Sequence, residues 1–409
     1  MRKQFLLLTS VLFLTTAIFG QFEEPQLTGE DFEKVKVGLG ADFAMQYQVL
    51  DHHADSALIP LGTGFNLPTA NLNVFATLAP GIKVYLTTYL SARHHNEAWV
   101  KGGYLLIDEL PFLKSPGVDK VMDYLTLTVG DMEINFGDAH LRRSDNGNVI
   151  KNPFVGNYIM DAFTTEIAAE LMFRSNGFIL MGAVGNGSLK PALTTYNATT
   201  KTYSAWDTHK ELAFYWKAGY DKELAEDFRL RLTLSGYHNP EHHSGTLYNG
   251  DRAGSRYYLV MNREKFAASD VDITANHTSG NWGPGSTKKT NSYMLNLFTK
   301  YKGLEFFGTF ENFKGILGNN SDSKFTQYAV EGLYRFGGKE QFYGGVRYNE
   351  VMNDLDMSVN RLQVAAGWFM LESILIKLEY VNQEYTDFIA QYGADAGFNG
   401  VMFEAAISF

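Results

Sequence analysis

From residue 35 onward the chain repeats short stretches in which apolar and polar residues alternate one by one. A two-residue period puts the two kinds of side chain on opposite faces of a β-strand. Between 82 and 93, Ile82, Val84, Leu86 and Leu90 point one way, and Lys83, Tyr85, Thr87, Tyr89 and Arg93 point the other. Between 228 and 237, Phe228, Leu230, Leu232 and Leu234 oppose Arg229, Arg231, Thr233, Ser235 and Tyr237. A helix would bring Arg229 and Leu232 onto one face, so the helical period does not fit. The alternation recurs where Leu212, Phe214, Trp216 and Ala218 oppose Glu211, Tyr215 and Lys217. It recurs again where Leu362, Val364, Ala366 and Trp368 oppose Arg361 and Gln363, and where Ile374, Ile376 and Leu378 oppose Lys377 and Glu379.

Bounded by turn residues, such stretches predict sixteen strands: 35–50, 69–79, 82–93, 99–109, 122–136, 163–174, 177–186, 209–220, 227–238, 290–301, 304–314, 324–336, 341–351, 359–370, 373–385 and 398–409. Short connections near Pro80-Gly81, Ser175-Asn176, Lys222 to Glu226, Lys302-Gly303, Gly337 to Glu340 and Leu371 to Ser373 alternate with long ones. The long ones are 51–68, 137–162, 187–208, 239–289, 315–323, 352–358 and 386–397. That rhythm predicts an all-β fold, an up-and-down antiparallel transmembrane β-barrel whose even strand number returns both termini to one side. The stretch 239–289 leaves an alternative of eighteen strands, if Ser255 to Asn262 crosses and Val271 to His277 crosses back; parity forbids adding one alone.

Charges on one face of so many strands would need partners in the dry core of a β-sandwich, whereas the lumen of a wide barrel is wet. Beyond residue 20 no run approaches 18 apolar residues, which excludes a helical membrane protein. At the start, Arg2 and Lys3 precede an apolar run from Phe5 to Phe19 and then Gly20, the pattern of a cleaved secretory signal peptide. The expected organisation is therefore a signal peptide over 1–20, a short periplasmic lead-in over 21–34 and a barrel over 35–409. Composition agrees: 39 Gly, 23 Tyr and 30 Phe against 10 Pro suit many strands, tight turns and aromatic girdles. With no cysteine, disulfides, thiolate metal sites and Cys nucleophiles are excluded. A net charge of −10 with scattered basic residues argues against nucleic-acid binding.

At the C-terminus Val401, Phe403, Ala405, Ile407 and Phe409 alternate to a terminal aromatic. This resembles the signal by which the outer-membrane assembly machinery recognises its clients. Leu127 to Gly137 with the long loop after it, the hairpin Asn176 to Asn186, and Phe306-Phe-Gly-Thr-Phe310 resemble the Gram-negative outer-membrane porins, in particular the phosphate-selective-porin-like group. The resemblance implies a sixteen-stranded pore in the cell outer membrane whose long loop after the fifth strand folds inward and narrows it. A ladder of cations would serve phosphate, but here Glu305, Glu311, Glu331 and Glu379 interleave with them.

The candidate constriction is the loop 137–162, with Asp138, Arg142, Arg143, Asp145 and Lys151; it either enters the lumen or caps the rim. Lumen-facing cations are Lys83, Arg93, Arg229, Arg231, Arg347, Arg361 and Lys377, in a wet lumen; if the loop folds inward, Arg142, Arg143 and Lys151 facing Arg229, Arg231, Arg347 and Arg361, partly offset by Asp138 and Asp145, give a weak anion preference. All ten histidines fall in outer loops or outer strand ends on this topology, without metal-ligand spacing. Neither a metal nor a cofactor is called for. No Gly-x-Ser-x-Gly, His-Glu-x-x-His or phosphate-binding Gly loop is present. The expected function is passive diffusion of small hydrophilic solutes or ions rather than catalysis. Partners are outer-membrane lipid, lipopolysaccharide, the barrel-assembly machinery and small hydrophilic solutes, with a homotrimer as one assembly open to the chain. The rival readings are an outer-membrane barrel enzyme of phospholipase or protease type, and a plugged structural or adhesive barrel.

Overall fold

The structure is a computed structural model that describes residues 35–66, 68–91, 98–143, 148–189, 194–197, 199–205, 211–241, 244–249, 256–264 and 278–409. The expectations for 1–20 and 21–34 lie outside the described residues. Sixteen long antiparallel strands close into one barrel. They are β1 (Lys36–Ala54), β2 (Thr69–Ala79), β3 (Ile82–Ser91), β4 (Ala98–Ile107), β5 (Leu125–Glu133), β6 (Thr165–Ser175), β7 (Phe178–Gly185) and β8 (Ala213–Ala225), followed by β9 (Phe228–Asn239), β10 (Gly285–Tyr301), β11 (Leu304–Leu317), β12 (Asp322–Phe336), β13 (Phe342–Asn353), β14 (Ser358–Leu371), β15 (Ile374–Thr386) and β16 (Ala396–Ser408). Each pairs with the next in the chain. β1 holds β2 from Lys36↔Thr77 to Ala44↔Thr69, and holds β16 from Asp42↔Ser408 to Ala54↔Ala396. Among the described residues no long strand is left with an open edge, which is what a bilayer requires of a β-structure.

The two faces are inverted relative to a water-soluble protein. Leu232 and Leu234, Val364 and Trp368, and Leu378 are exposed. Their polar neighbours Thr233, Ser235, Gln363, Lys377 and Glu379 are buried. An apolar outside and a polar inside are stable only against lipid. Aromatic side chains gather toward the short-turn end, where Tyr334, Phe336, Phe342 and Trp368 stack in a row across β12 to β14. A second group, Phe214, Trp216, His238 and Tyr293, lies toward the other end of β8 to β10. These are the girdle positions of a transmembrane barrel.

Local chemistry explains the turns. Asn176 and Gly177 both have positive φ, the type I′ geometry that matches strand twist in a two-residue hairpin. The connection between β4 and β5 differs from the sequence reading, which began a strand at 122. It holds a 3₁₀ turn (Pro111–Leu113) and a helix α1 (Pro116–Met122), each starting on a proline, whose fixed φ suits a first helical position. Of the eighteen-strand alternative, residues Arg256 to Asn262 run inside the barrel and are not a wall strand. Val271 to His277 lies outside the described residues. Gly64–Phe65 and Gly245–Tyr248 are short rim pairings on β1 and β10, and Thr194–Asn197 with Thr202–Ala205 is a separate hairpin.

Candidate functional site: the divided lumen

The sequence loses strand character after Glu133, and the chain leaves the wall there. It turns at Gly137, whose φ of +67° favours glycine and where a Cβ would collide with Met294. Asp138 makes the first anchor. Its carboxylate accepts hydrogen bonds from Arg231 Nε at 2.7 Å, Arg231 Nη2 at 2.8 Å and Thr233 Oγ1 at 2.7 Å, with Lys217 Nζ at 3.1 Å. Burial works against this charge, but the bonds from Arg231 and the nearby Lys217 outweigh it and hold the Asp138 carboxyl well below the usual carboxylate range. The backbone N–H of Asp138 donates to Asn296 Oδ1 at 2.8 Å.

The loop then lies along β10 to β16, bonded to lumen-facing side chains all the way. Arg142 Nη2 donates to Glu331 Oε2 at 2.8 Å, and Arg143 Nε donates to Asp161 within its own loop at 2.8 Å. The N–H groups of Val155, Ile159 and Met160 donate to Glu379 at 2.7 Å, Asn349 at 2.7 Å and Gln327 at 3.0 Å. In the other direction Arg347 donates to Gly156 O at 2.8 Å, Arg361 to Asn157 O at 2.7 Å and Lys377 to Val149 O at 2.6 Å. Buried wall charges therefore satisfy loop backbone groups that would otherwise be orphaned.

A second inward segment completes this packed side. The N–H of Tyr258 donates to Gln48 Oε1 at 3.0 Å, and Gln48 Nε2 donates back to Tyr258 O at 2.8 Å. Tyr257 Oη donates to Glu379 Oε1 at 2.6 Å; burial, with the Glu379 carboxylate beside it, pushes that phenol well above its ordinary value. Arg256 Nη2 reaches Glu404 Oε2 at 2.6 Å, and Lys377 Nζ reaches Glu404 Oε1 at 2.7 Å. Val155, Ile159, Tyr257, Val260, Phe313, Phe325, Val351 and Phe398 form one apolar cluster there.

The lumen is thereby divided. Between β1 to β6 and the near face of the loop remains a cavity of about 460 Å³, lined by Asp42, Asn71, Asn73, Tyr85, Thr87, Lys101, Tyr104, Asp131, Glu133, His140 and Glu170 among others. A smaller space of about 220 Å³ lies among Met160, Tyr248, Asn281 and Trp282.

The structure places Asp138, Arg142 and Arg143 inside the barrel, each on a different partner. Lys151 is exposed, while 152–160 beside it are buried, and Asp145 lies outside the described residues, as does Arg93. The described cations of the lumen-facing set are paired or buried. Lys83 pairs with Asp108 at 2.7 Å, and Arg229 and Arg231 share Asp221 at 2.8 and 2.9 Å. Arg347 pairs with Glu331 at 2.8 Å. Arg361 is buried against loop carbonyls and Gln383, and Lys377 is buried on Glu404. Arg347, Arg361 and Lys377 are dry, held by wall acceptors and by loop carbonyls, whereas Lys83 and Arg229 are paired but keep their side chains partly exposed. His140 is also corrected: it is carried inside, with Nδ1 2.5 Å from Glu133 Oε1. Val401 and Ile407 are half-buried and Phe403 and Phe409 exposed, and the N–H of Phe409 donates to Ala41 O at 3.0 Å.

Sequence reasoning singled out Ser255 to Asn262 only as a possible extra wall strand and did not foresee its inward packing. The signal was Tyr257 to Met261, five consecutive apolar or aromatic residues with no polar alternation.

With the geometry in hand, solved structures can be compared. An anion-selective porin from Comamonas acidovorans superposes with a TM-score of 0.54 at 11% identity, over 92% of this chain and 100% of that one. The fold is the porin barrel. A high-pH structure of Pseudomonas putida OprB superposes at 0.52 with 8% identity, over 92% of this chain and 94% of that one. In-vitro folded OmpT, an outer membrane protein of Vibrio cholerae, superposes at 0.51 with 10% identity, over 93% and 100%. No protein-family model matches the chain, and no curated protein matches it by sequence.

Proposed function

We propose that this porin-fold barrel is an outer-membrane diffusion pore for small hydrophilic solutes, exported by its N-terminal signal, with its water path off-axis between β1 to β6 and the inward loop. The observation that supports this is the cavity of about 460 Å³ on that side, whose lining carries Asp42, Asn71, Asn73, Lys101, Asp131 and Glu170, against dense packing on the other. A space of that size holds water and hydrated ions readily. In this reading the protein moves solutes down their gradients, uses no cofactor and carries out no reaction. Its outer surface meets lipid, and Phe409 with Val401, Phe403 and Ile407 serves the assembly machinery.

The loop acts as a fixed constriction. Its anchors Asp138, Arg142 and the N–H groups of 155–160 bond to the β8 to β16 side, and on the near side His140 meets Glu133 at the edge of the cavity. A weak anion preference would require unpaired Arg142, Arg143 and Lys151, and two of these are committed to carboxylates. The test is conductance of the refolded chain in a planar bilayer. Steady single-channel steps are expected, small for a sixteen-stranded barrel. A second reading, a plugged barrel, is favoured by the packed segments 149–161 and 256–264, and an absence of steps in folded protein selects it.

A further inference from the structure

We propose that the remaining cavity is a cation-selective passage in which Glu170 is the principal cation-facing group, admitting monovalent inorganic cations and small ammonium solutes. The inference rests on the pore reading above and gives its solute class.

The charge inventory of the cavity is one-sided. Asp42, Asp131, Glu133 and Glu170 line it; among the described residues Lys101 is the one lysine or arginine in the lining, and His140 lies there against Glu133 at 2.5 Å. The arginines of the loop do not balance them, because Arg142 is bonded to Glu331 and Arg143 to Asp161, away from this wall. Arg231 is bonded to Asp138 and Asp221.

Glu170 is the second, independent observation. Its side chain is only 7% exposed. One oxygen accepts a hydrogen bond from Asn135 Nδ2 at 3.4 Å, while Oε2 is buried with no hydrogen-bond partner among the described residues. A carboxylate oxygen withdrawn from bulk water with no donor is costly unless a cation or an ordered water comes to it. Beside it Tyr85 and Tyr104 stack with ring centroids 5.1 Å apart on the cavity wall. Aromatic faces next to carboxylates attract ammonium groups through the ring quadrupole and disfavour anions. A narrow passage with low-dielectric walls concentrates the field of its fixed charges, so these few groups set which ion enters.

The experiment is reversal potential across a KCl gradient for the refolded full chain in a planar bilayer, at low and at molar salt. The expected result is a cation-preferring potential that is strong at low salt and fades as the Debye length shrinks toward about 3 Å. Glu170→Gln and Asp131→Asn should each move the potential toward zero, and Lys101→Gln should move it further in the cation direction. Heat-modifiable mobility confirms that each variant is folded. If Glu170→Gln does not fold, the Lys101→Gln shift still decides, since that variant keeps every carboxylate. Conduction with anion preference, or folded variants with unchanged potentials, overturns this inference and leaves the pore standing. Absence of conduction overturns the pore, and this inference with it.

Discussion

Asp138 carries more of the site than any other single residue, because one carboxylate bonds both Lys217 and Arg231 and fixes the point where the loop leaves the wall. Removing one member of a buried pair strands the others, at a typical cost of about 3–5 kcal/mol. Asp138→Asn is expected to lower the urea midpoint of the folded barrel and to loosen the loop, read as noisier conductance. The pH dependence has a definite sign. The folded carboxyl is held below its unfolded value, so its contribution is complete above ~pH 5 and erodes as pH falls through the ordinary carboxylate range toward the folded value. The stability gap between wild type and Asp138→Asn should be constant near neutrality and narrow on acidification; a gap that widens in acid contradicts the assignment. On the lipid face the expectation is different in kind. Leu232, 44% exposed to the bilayer side, should tolerate Ile, whereas Leu232→Arg should cost about 2–4 kcal/mol near the midplane. Equal midpoints for those two variants would place Leu232 on the wrong face.

The elements were legible in proportion to how local their determinants are. Strands β2 and β3 begin where alternation begins, since facing is decided residue by residue; β2 matches its sequence reading over the whole of 69–79. The long loop was legible as long, but its docking was not. Arg142 and Glu331 are separated by 189 positions, and Val155 and Glu379 by 224, so nothing near either residue announces its partner. For the same reason nothing near Arg347, Arg361 or Lys377 announces that each is buried. The loop can be tested as an element. Replacing 139–160 by a short Gly-Ser linker should enlarge the conductance severalfold, because the fill of the lumen is lost while the wall ladder is intact. Arg142→Glu with Arg143→Glu places like charges against Glu331 and Asp161 and should release the loop, raising conductance and its fluctuation together. Unchanged steps in that double variant would place the loop outside the conducting path.

At the scale of the whole molecule, closure depends on the meeting of the first and last strands. The terminal residue takes part: Phe409 and Ala41 exchange backbone hydrogen bonds at 2.8 and 3.0 Å. Deleting Phe409 is expected to reduce the fraction of heat-modifiable folded barrel in outer membranes, and an undiminished fraction would count against an assembly role. The strands on either side of that junction share a further tie from within. Arg256 grips Glu404 of β16, while the adjacent Tyr258 is clasped by Gln48 of β1, so a segment from the middle of the chain spans the join between its ends. Ser408 and Asp42, bonded across the same join, are 366 positions apart, and contacts of such separation form late because the loop entropy precedes the reward. The inner segment then works as a latch in time rather than as a filter in space: it slows reopening of the last contact to form. Arg256→Ala should accordingly leave conductance steps unchanged while shortening the half-life of the closed barrel at elevated temperature.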